Sequence, residues 1–464
     1  MSVLRQPGSR EAILCKPERR YGARAGGTVA SCGSSERVQR LQEGGVDMVV
    51  RIENRSQLVY LLSQAAELEH AILCCYLFTA FSMKKDASEG LPPEHVETVR
   101  RWHQDINAIA VEEMIHFATA CNLLTAIGGR AHVVRTNLPT STHAYPETFS
   151  LQLMPFGLPA LEHYINLERP EPPPKTPSWA DVASSRFDRL GDIFSSERTF
   201  DTVGELYRGI QDGFSYLADK LGEERLFVGH PGAQAHAATF QMPGLIPVRD
   251  LDSALAAINL IVEQGEGAAE DSEHAHYHRF VHIRDEYAAI LSRDPSFDPA
   301  RPVVTNPYTI AGRRDPEVLR ISNRIEDAVS VDLCNLIDGS YELMVQCLGL
   351  VFEDYSALPG ADGQIADVAV GLMLDVIRPL SNALTQLPAG PSHPGKTAGP
   401  SFRLSPRIGV PGEQSIAWQV LRERAQELVY YCRFLEATAG VPPEVASARG
   451  ALEGYVAGFA KALS

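Results

Sequence analysis

The sequence predicts an all-α fold: a four-helix bundle with one long crossover, followed by a second helical unit. Three observations support this prediction. Apolar residues recur at helical spacing in segments long enough for several turns each. A stretch of about 70 residues without a helical period separates the second of these segments from the third. We find neither the strict alternation of a β-strand nor a repeat of fixed period.

The composition is globular and argues against a nucleic-acid partner. Of the 464 residues, 44% are hydrophobic and 22% are charged, and the net charge is −16. A protein that binds phosphate backbones needs a basic surface, which this balance does not offer. Because no run of about 18 apolar residues occurs, no membrane partner is expected. The cysteines are scattered and form no C-x-x-C pair, which favours a reducing cytoplasm.

Length and shifts in composition predict three regions. Residues 1–50 are rich in Gly, Ser and Arg and are expected to be disordered. Residues 51–293 contain the bundle. After a Pro-rich stretch the helical period returns, so residues 294–464 are expected to form a C-terminal helical domain. This domain could serve as a substrate lid, a homodimer interface or a scaffold.

The helical periods place each element in turn. The first helix is expected at about residues 56–81. The second is expected at about 93–127, where a double glycine ends it. After the crossover, helices are expected at about 202–221, 250–267 and 272–291. The C-terminal helices are expected at about 332–353, 365–387, 415–439 and 443–463.

The most informative motif is Glu113-x-x-His116 in the second helix. Both residues fall on the apolar stripe of this helix, where a protein core should form. Burying an unpaired carboxylate costs several kcal/mol, so the pair needs a strong compensating partner. A metal ion is the best candidate. The alternative is a buried ion pair or a hydrogen-bonded polar pair.

A four-helix bundle can build a dinuclear metal site from carboxylates on two helices and Glu-x-x-His pairs on the other two. Glu69 lies in the apolar stripe of the first helix, although the neighbouring Glu67 could substitute. Glu205 lies in the first turn of the third helix, where a carboxylate also interacts favourably with the helix dipole. Glu263 and Glu266 lie in the fourth helix. Glu266 extends the apolar stripe of this helix better than Glu263 does. We expect one of the two to be a ligand and the other to support the ligands or act in catalysis, and Glu266 is our candidate for the catalytic carboxylate.

The fourth helix lacks the histidine of a Glu-x-x-His pair. His276, at the start of the next helix, is our choice for the missing imidazole, because Gly265 and Gly267 would let the backbone bend there. Carboxylate and imidazole ligands suit iron or manganese, so we expect two iron ions and leave manganese or a mixed pair open. The predicted metal ligands are Glu69, Glu113, His116, Glu205, Glu263, Glu266 and His276.

Five motifs follow one another in order across roughly residues 52–287. They are Ala65–Ala71 with Tyr76-Leu77, Glu112–His116 with 122–129, Glu205–Tyr207, Ile261–Gly267, and His276–Phe280. Together they resemble the ferritin-like domain family of the violacein-pathway imino-phenylpyruvate dimer synthase and its relatives. Phe156 and the stretch 166–170 in the crossover resemble this family too. The resemblance implies a ferritin-like bundle with a dinuclear metal centre, and it supports Glu205 and His276 as ligands.

The leading functional prediction is a di-iron oxidoreductase. It would use dioxygen or a peroxide to oxidise a small aromatic or amino-acid-derived substrate, as the resemblance to a natural-product pathway enzyme implies. Tyr76 and Tyr277 lie near proposed ligands and could relay an electron or a proton, with packing as the alternative. Three further hypotheses stay open: a redox-neutral imine-coupling enzyme whose metals act as Lewis acids, a metal-storage protein, and a metal-free structural or interaction module.

Overall fold

The computed structural model describes residues 52–140, 150–170, 200, 202–265, 275–310, 316–353, 361–405, 409 and 413–462. Within these ranges the regular structure is almost entirely helical. The described strands are β1 (Pro307–Tyr308) and β2 (Asn323–Arg324), two residues each, which pair in parallel. The prediction of an all-α fold is confirmed.

The N-terminal part supplies the helices of the bundle. They are α1 (Arg55–Ser82), α2 (Val96–Ala126), α3 (Leu158–Leu167), α4 (Val203–Leu221), α5 (Glu223–Leu226), α6 (Ala237–Phe240), α7 (Leu251–Gln264) and α8 (His276–Leu291). Helices α1, α2, α7 and α4 form a closed ring in which each packs against the next. Helix α8 packs on α3 and on α2, beside the ring. The long crossover between α2 and α4 therefore lies against the bundle through α3.

The helix α3 lies in the crossover, for which no helical period was found. It has only ten residues, and Pro159 lies in its first turn. Short helices are marginal on their own, and burial of a few side chains decides whether they form. In α3 the buried Tyr164 packs edge-on against Tyr76 of α1, with ring centroids 4.7 Å apart. This contact joins residues far apart in sequence, so no local pattern announces the helix.

Helix α1 is buried almost all the way round. Among the described helices it is the one whose length and hydropathy would allow it to cross a membrane, and 72% of its most apolar window is buried inside the protein. It packs on α2 and α4 on one side and faces C-terminal helices on the other. A helix enclosed on all sides needs no polar face, which explains its uniform hydropathy.

The C-terminal part adds a second group of helices. They are α9 (Pro316–Arg320), α10 (Ala328–Val351), α11 (Ala361–Gly371), α12 (Arg378–Leu384), α13 (Gln414–Glu436) and α14 (Glu444–Ala462). Helix α10 packs on α11 and α13, and α13 packs on α14. The hydrophobic core is continuous from the bundle into this group. A domain boundary at residue 293 stays a prediction.

A π-helical turn, Leu372–Ile377, joins α11 to α12. The N–H of Arg378 donates to the carbonyl of Met373, five residues earlier. Pro379 follows, and its ring would clash with the carbonyl four residues before it in a regular α-helix. The wider turn accommodates the proline. Turns of this kind often border functional sites.

Asp338 on α10 is a buried carboxylate that makes stability depend on pH. The Ser401 hydroxyl donates to its Oδ2 at 2.6 Å, and the Arg403 N–H donates to Oδ1 at 3.0 Å. Burial raises the pKa of Asp338 from 3.8 to about 7. The folded protein therefore binds this proton more tightly than the unfolded chain does. The contribution of this proton to the free energy of unfolding is fully present below about pH 4 and is lost as the pH rises through about 7.

We expect Asp338→Asn to flatten this dependence, because the amide stays neutral and can keep both hydrogen bonds. Between pH 5 and pH 8 the wild-type free energy of unfolding should fall by about 2–3 kcal/mol more than that of the variant. Urea denaturation at several pH values measures the difference. Asp219→Asn, at an exposed position on α4, is the control and should follow the wild type. Equal slopes for wild type and Asp338→Asn would contradict the prediction.

Candidate metal centre

Five side chains that can bind a metal meet inside the bundle. Glu69 comes from α1, Glu113 and His116 from α2, Glu168 from the residue after α3, and His276 from the first position of α8. Each of them is at most 2% exposed. They form two groups, Glu69 with Glu113 and His116, and Glu113 with Glu168 and His276, in which the ligand atoms lie within 4.8 Å of one another. Glu113 belongs to both groups.

Both histidines point the same ring nitrogen into the cluster. His116 Nδ1 lies 3.1 Å from Glu113 Oε2, and its Nε2 lies 3.1 Å from Gln264 Oε1. His276 Nδ1 lies 2.9 Å from Glu113 Oε1, and its Nε2 lies 2.7 Å from Glu112 Oε2. Metal-binding histidines usually hold the second nitrogen on an outer polar group in this way, which fixes the orientation of the ring.

Two tyrosines hold the outer carboxylates of the cluster. The Tyr207 hydroxyl, from α4, donates to Glu69 Oε1 at 2.5 Å. The Tyr76 hydroxyl, from α1, donates to Glu168 Oε1. Both phenols are buried, so each carboxylate is fixed by a neutral donor rather than by a cation. One oxygen of Glu69 and one of Glu168 are thereby left for a different partner.

Two buried atoms in the cluster make no hydrogen bond of acceptable geometry among the described residues: Glu168 Oε2, and His276 Nδ1, although Glu113 Oε1 lies 2.9 Å from the latter. Leaving a buried polar atom unsatisfied costs about 1–3 kcal/mol, and more for a charged group. Both are typical metal-ligand atoms and both lie in one donor group. A bound cation would satisfy them together.

The charges of the cluster lead to the same conclusion. In the described part of the chain, the ion-pair partners of Glu69, Glu113 and Glu168 are histidines. Burial and the neighbouring Glu113 raise the pKa of Glu69 well above its ordinary value. Burial alone would raise the pKa of Glu113, but His116 and His276 outweigh it and lower this pKa.

For His276, burial would lower the pKa, yet Glu168 and Glu113 raise it well above the ordinary value. Without a metal, therefore, protons must neutralise the buried carboxylates. Divalent cations can replace these protons, and oxygen and imidazole ligands suit iron or manganese. The residues present fit a dinuclear centre.

The structure brings together four of the predicted ligands: Glu69, Glu113, His116 and His276. Glu205 is half-buried at the start of α4, where its backbone N–H donates to the Thr202 side chain at 3.1 Å, and it belongs to neither donor group. From α4, it is Tyr207 that contacts the described donor groups. Glu205 as a ligand stays a prediction.

The fourth bundle helix places Gln264 beside the cluster, while the preceding Glu263 is exposed. Glu266 lies outside the described residues, so its roles as ligand and catalytic carboxylate stay predictions, as does Glu263 as a ligand. Sequence reasoning did not single out Glu168, which belongs to one of the two donor groups. The only signal available for it was the resemblance of the crossover stretch 166–170 to the same family.

Comparison with known proteins agrees with this geometry. The family model described as Ferritin-like matches residues 62–285, and this match agrees with the ferritin-like fold of the bundle. Two relatives are each 28% identical to this chain: the dichlorochromopyrrolate synthase of Lentzea aerocolonigenes and the 2-imino-3-(indol-3-yl)propanoate dimerase of Chromobacterium violaceum. The resemblance indicated by the five motifs is confirmed.

These matches cover most of this chain but a minor part of the relatives. The alignment with the synthase spans 82% of this chain and 39% of that protein, and the alignment with the dimerase spans 83% and 38%. The chain thus spans about two fifths of the length of either relative. A solved structure, a ferritin-like protein from Caulobacter vibrioides, is 17% identical with a TM-score of 0.47, and covers 76% of this chain and 100% of its own.

Proposed function

We propose that this protein is an enzyme of natural-product biosynthesis, a di-iron oxidoreductase that acts on a small substrate derived from an aromatic amino acid. The observation that carries the proposal is the position of Glu113, whose two carboxylate oxygens face His276 and His116 in two adjoining donor groups. The names of the two relatives, a synthase and an imine dimerase, support the substrate class.

The described residues of the two donor groups would hold the two ions, and their burial would exclude water from the site. Glu69, Glu113 and His116 would hold one ion, and Glu113, Glu168 and His276 the other. Two iron ions bound there would supply an acceptor for electrons from the substrate and a site for dioxygen or a peroxide.

The chain's own groups also fix where protons lie. The Tyr207 hydroxyl holds a proton at Glu69 Oε1, and the Tyr76 hydroxyl holds one at Glu168 Oε1. Tyr76 would therefore be able to pass a proton to or from Glu168, and this role stays a prediction.

A redox-neutral coupling is the second candidate, and the name of the dimerase relative favours it. In oxidative coupling, two imine molecules form a carbon–carbon bond and lose two protons and two electrons, which dioxygen accepts to give hydrogen peroxide. In redox-neutral coupling, a proton shift turns one imine into its enamine, the β-carbon of this enamine adds to the C=N carbon of the other molecule, and the nitrogen of that C=N group takes up the proton; the metals would act as Lewis acids. Only the first reaction consumes dioxygen.

The test begins with elemental analysis of protein purified without chelator, where we expect about two iron ions per chain. Indole-3-pyruvate with ammonium then supplies the imine, and dioxygen uptake and the mass of the products are measured with loaded and with chelator-stripped protein. A coupled product with dioxygen uptake that needs the metal supports the proposal. A coupled product without uptake selects the redox-neutral reaction. Little bound iron after anaerobic loading, or bound iron with no turnover of aromatic imines or amino acids, contradicts the proposal.

A further inference from the structure

A large cavity lies between the bundle and the C-terminal helices. Its volume is about 580 Å³, within the range of small-molecule sites. His70, Met114 and Phe117 line it, and each of them directly follows a residue of the metal cluster on α1 or α2. Consecutive residues of a helix point about 100° apart, so the cavity lies on a different face of these helices from the donor groups. It is a separate site.

The lining of the cavity is almost entirely apolar and adaptable. Its side chains include Phe81, Phe240 and Phe352, together with Met114, Met242, Met344 and Met373. These are four of the eight methionines in the chain. Unbranched thioethers adjust to varied apolar ligands, which is why methionine is common at adaptable binding surfaces.

The cavity is also elongated. Its lining runs on α1 from His70 to Phe81 and continues to Lys85 beyond the end of this helix, and on the antiparallel α2 it runs from His103 to Ala118. Fifteen residues of helix correspond to about 22 Å. The π-helical turn closes the other side with Met373 and adjoining residues. A compact ligand would leave much of such a cavity empty, whereas a chain-like ligand would fill it.

Two cations stand at the mouth of the cavity. Lys85 and Arg378 line it and are exposed, and within the described part of the chain no carboxylate lies within 4 Å of either side-chain cation. Each contributes to the lowering of the pKa of His103, after burial, so both lie near one end of the cavity. Val111 and Leu374, also in the lining, are 44% and 45% exposed and mark the opening.

Two cations beside an apolar cavity, with no described carboxylate within 4 Å of either, are complementary to an anionic head group. The polar side chains at the far end of the cavity, His70, Cys74 and Tyr341, form hydrogen bonds with one another instead. Tyr341 Oη lies 2.5 Å from His70 Nε2 and 3.2 Å from Cys74 Sγ. We infer that this cavity binds a carboxylate with a long apolar chain, with its carboxylate held between Lys85 and Arg378. This inference does not depend on the proposed function.

Isothermal titration calorimetry with dodecanoate, below its micelle concentration, tests the site on the wild-type protein. We expect one molecule bound per chain. The double variant Lys85→Met/Arg378→Met should weaken binding about tenfold, the combined effect of two partly exposed ion pairs. Met344→Trp, which fills the cavity, should abolish binding while circular dichroism confirms the fold. Lys396→Met, an exposed cation outside the lining, is the matched control and should bind like the wild type.

Neutral and compact probes complete the test. On the wild type, dodecanol should bind about tenfold more weakly than dodecanoate. On the double variant, which lacks both cations, the two ligands should bind with equal affinity. Indole-3-acetate, a compact aromatic carboxylate, should bind more weakly than dodecanoate. Absence of dodecanoate binding, binding that survives both the double variant and Met344→Trp, or tighter binding of indole-3-acetate would each overturn the inference. Because the titration measures binding alone, its result is independent of metal content and turnover.

Discussion

Glu113→Gln is expected to remove both metal ions from the centre at once. Glu113 is the side chain shared by the two donor groups, with one oxygen 2.9 Å from His276 Nδ1 and the other 3.1 Å from His116 Nδ1. Glutamine has the same shape but replaces one charged oxygen by an NH₂ group that cannot bind a cation. The iron content after anaerobic loading, measured by elemental analysis, should fall from about two ions per chain in the wild type to almost none in the variant. Turnover should fall with it.

A matched control separates this effect from a general loss of charge. Glu97→Gln makes the same change in the first turn of the same helix, at an exposed position where the carboxylate pairs with Arg100. This variant should keep both ions. Retention of both ions by Glu113→Gln would show that Glu113 bridges nothing, and the dinuclear proposal would fail with it.

The sequence was sufficient to find the residues whose position depends on helical period. Glu69, Glu113 and His116 lie inside long amphipathic or apolar segments, where the period assigns each side chain to a face. His276 needed a second argument, the break after Gly265, because it begins a new helix. The structure brings all four into the donor groups.

The period was less informative near the ends of helices. Adjacent residues on a helix differ by about 100° in direction, so a small error in rotation exchanges neighbours. Glu263 is exposed and the adjacent Gln264 reaches His116, so Glu263 as a ligand stays a prediction. Glu205 as a ligand stays a prediction, and the contact that the structure shows from α4 is that of Tyr207 with Glu69.

Contacts made by segments that carry no helical period could not be predicted. Glu168 directly follows a ten-residue helix in the crossover, and a position of this kind carries no periodic signal. Its direction depends on α3 packing against α1 and α8, which is a tertiary property. The cavity with four methionines has the same origin, because α1, α2 and α10 each supply only part of its lining.

Glu168→Gln and Glu205→Gln are expected to differ in metal content, and the pair decides which carboxylate completes the second group. Glu168 is fully buried, its Oε2 has no hydrogen-bond partner among the described residues, and its Oε1 lies 3.6 Å from His276 Nδ1. We expect Glu168→Gln to lose one of about two ions, whereas Glu205→Gln should keep both. Elemental analysis of the two variants, loaded side by side, measures this. Loss of an ion in Glu205→Gln alone would restore the ligand set predicted from sequence and contradict the role of Glu168.

Unfolding measurements on the same variant distinguish a ligand from a residue that only supports the fold. In metal-free protein, Glu168→Gln removes a buried carboxylate with an unsatisfied oxygen, so the variant should unfold at the same or a higher urea concentration than the wild type. In loaded protein the order should reverse, because an ion that binds only the folded state stabilises it, and the variant binds one ion fewer. A residue needed only for packing would destabilise both forms alike. The reversal would therefore assign Glu168 to the metal by a measurement that does not require knowledge of the substrate.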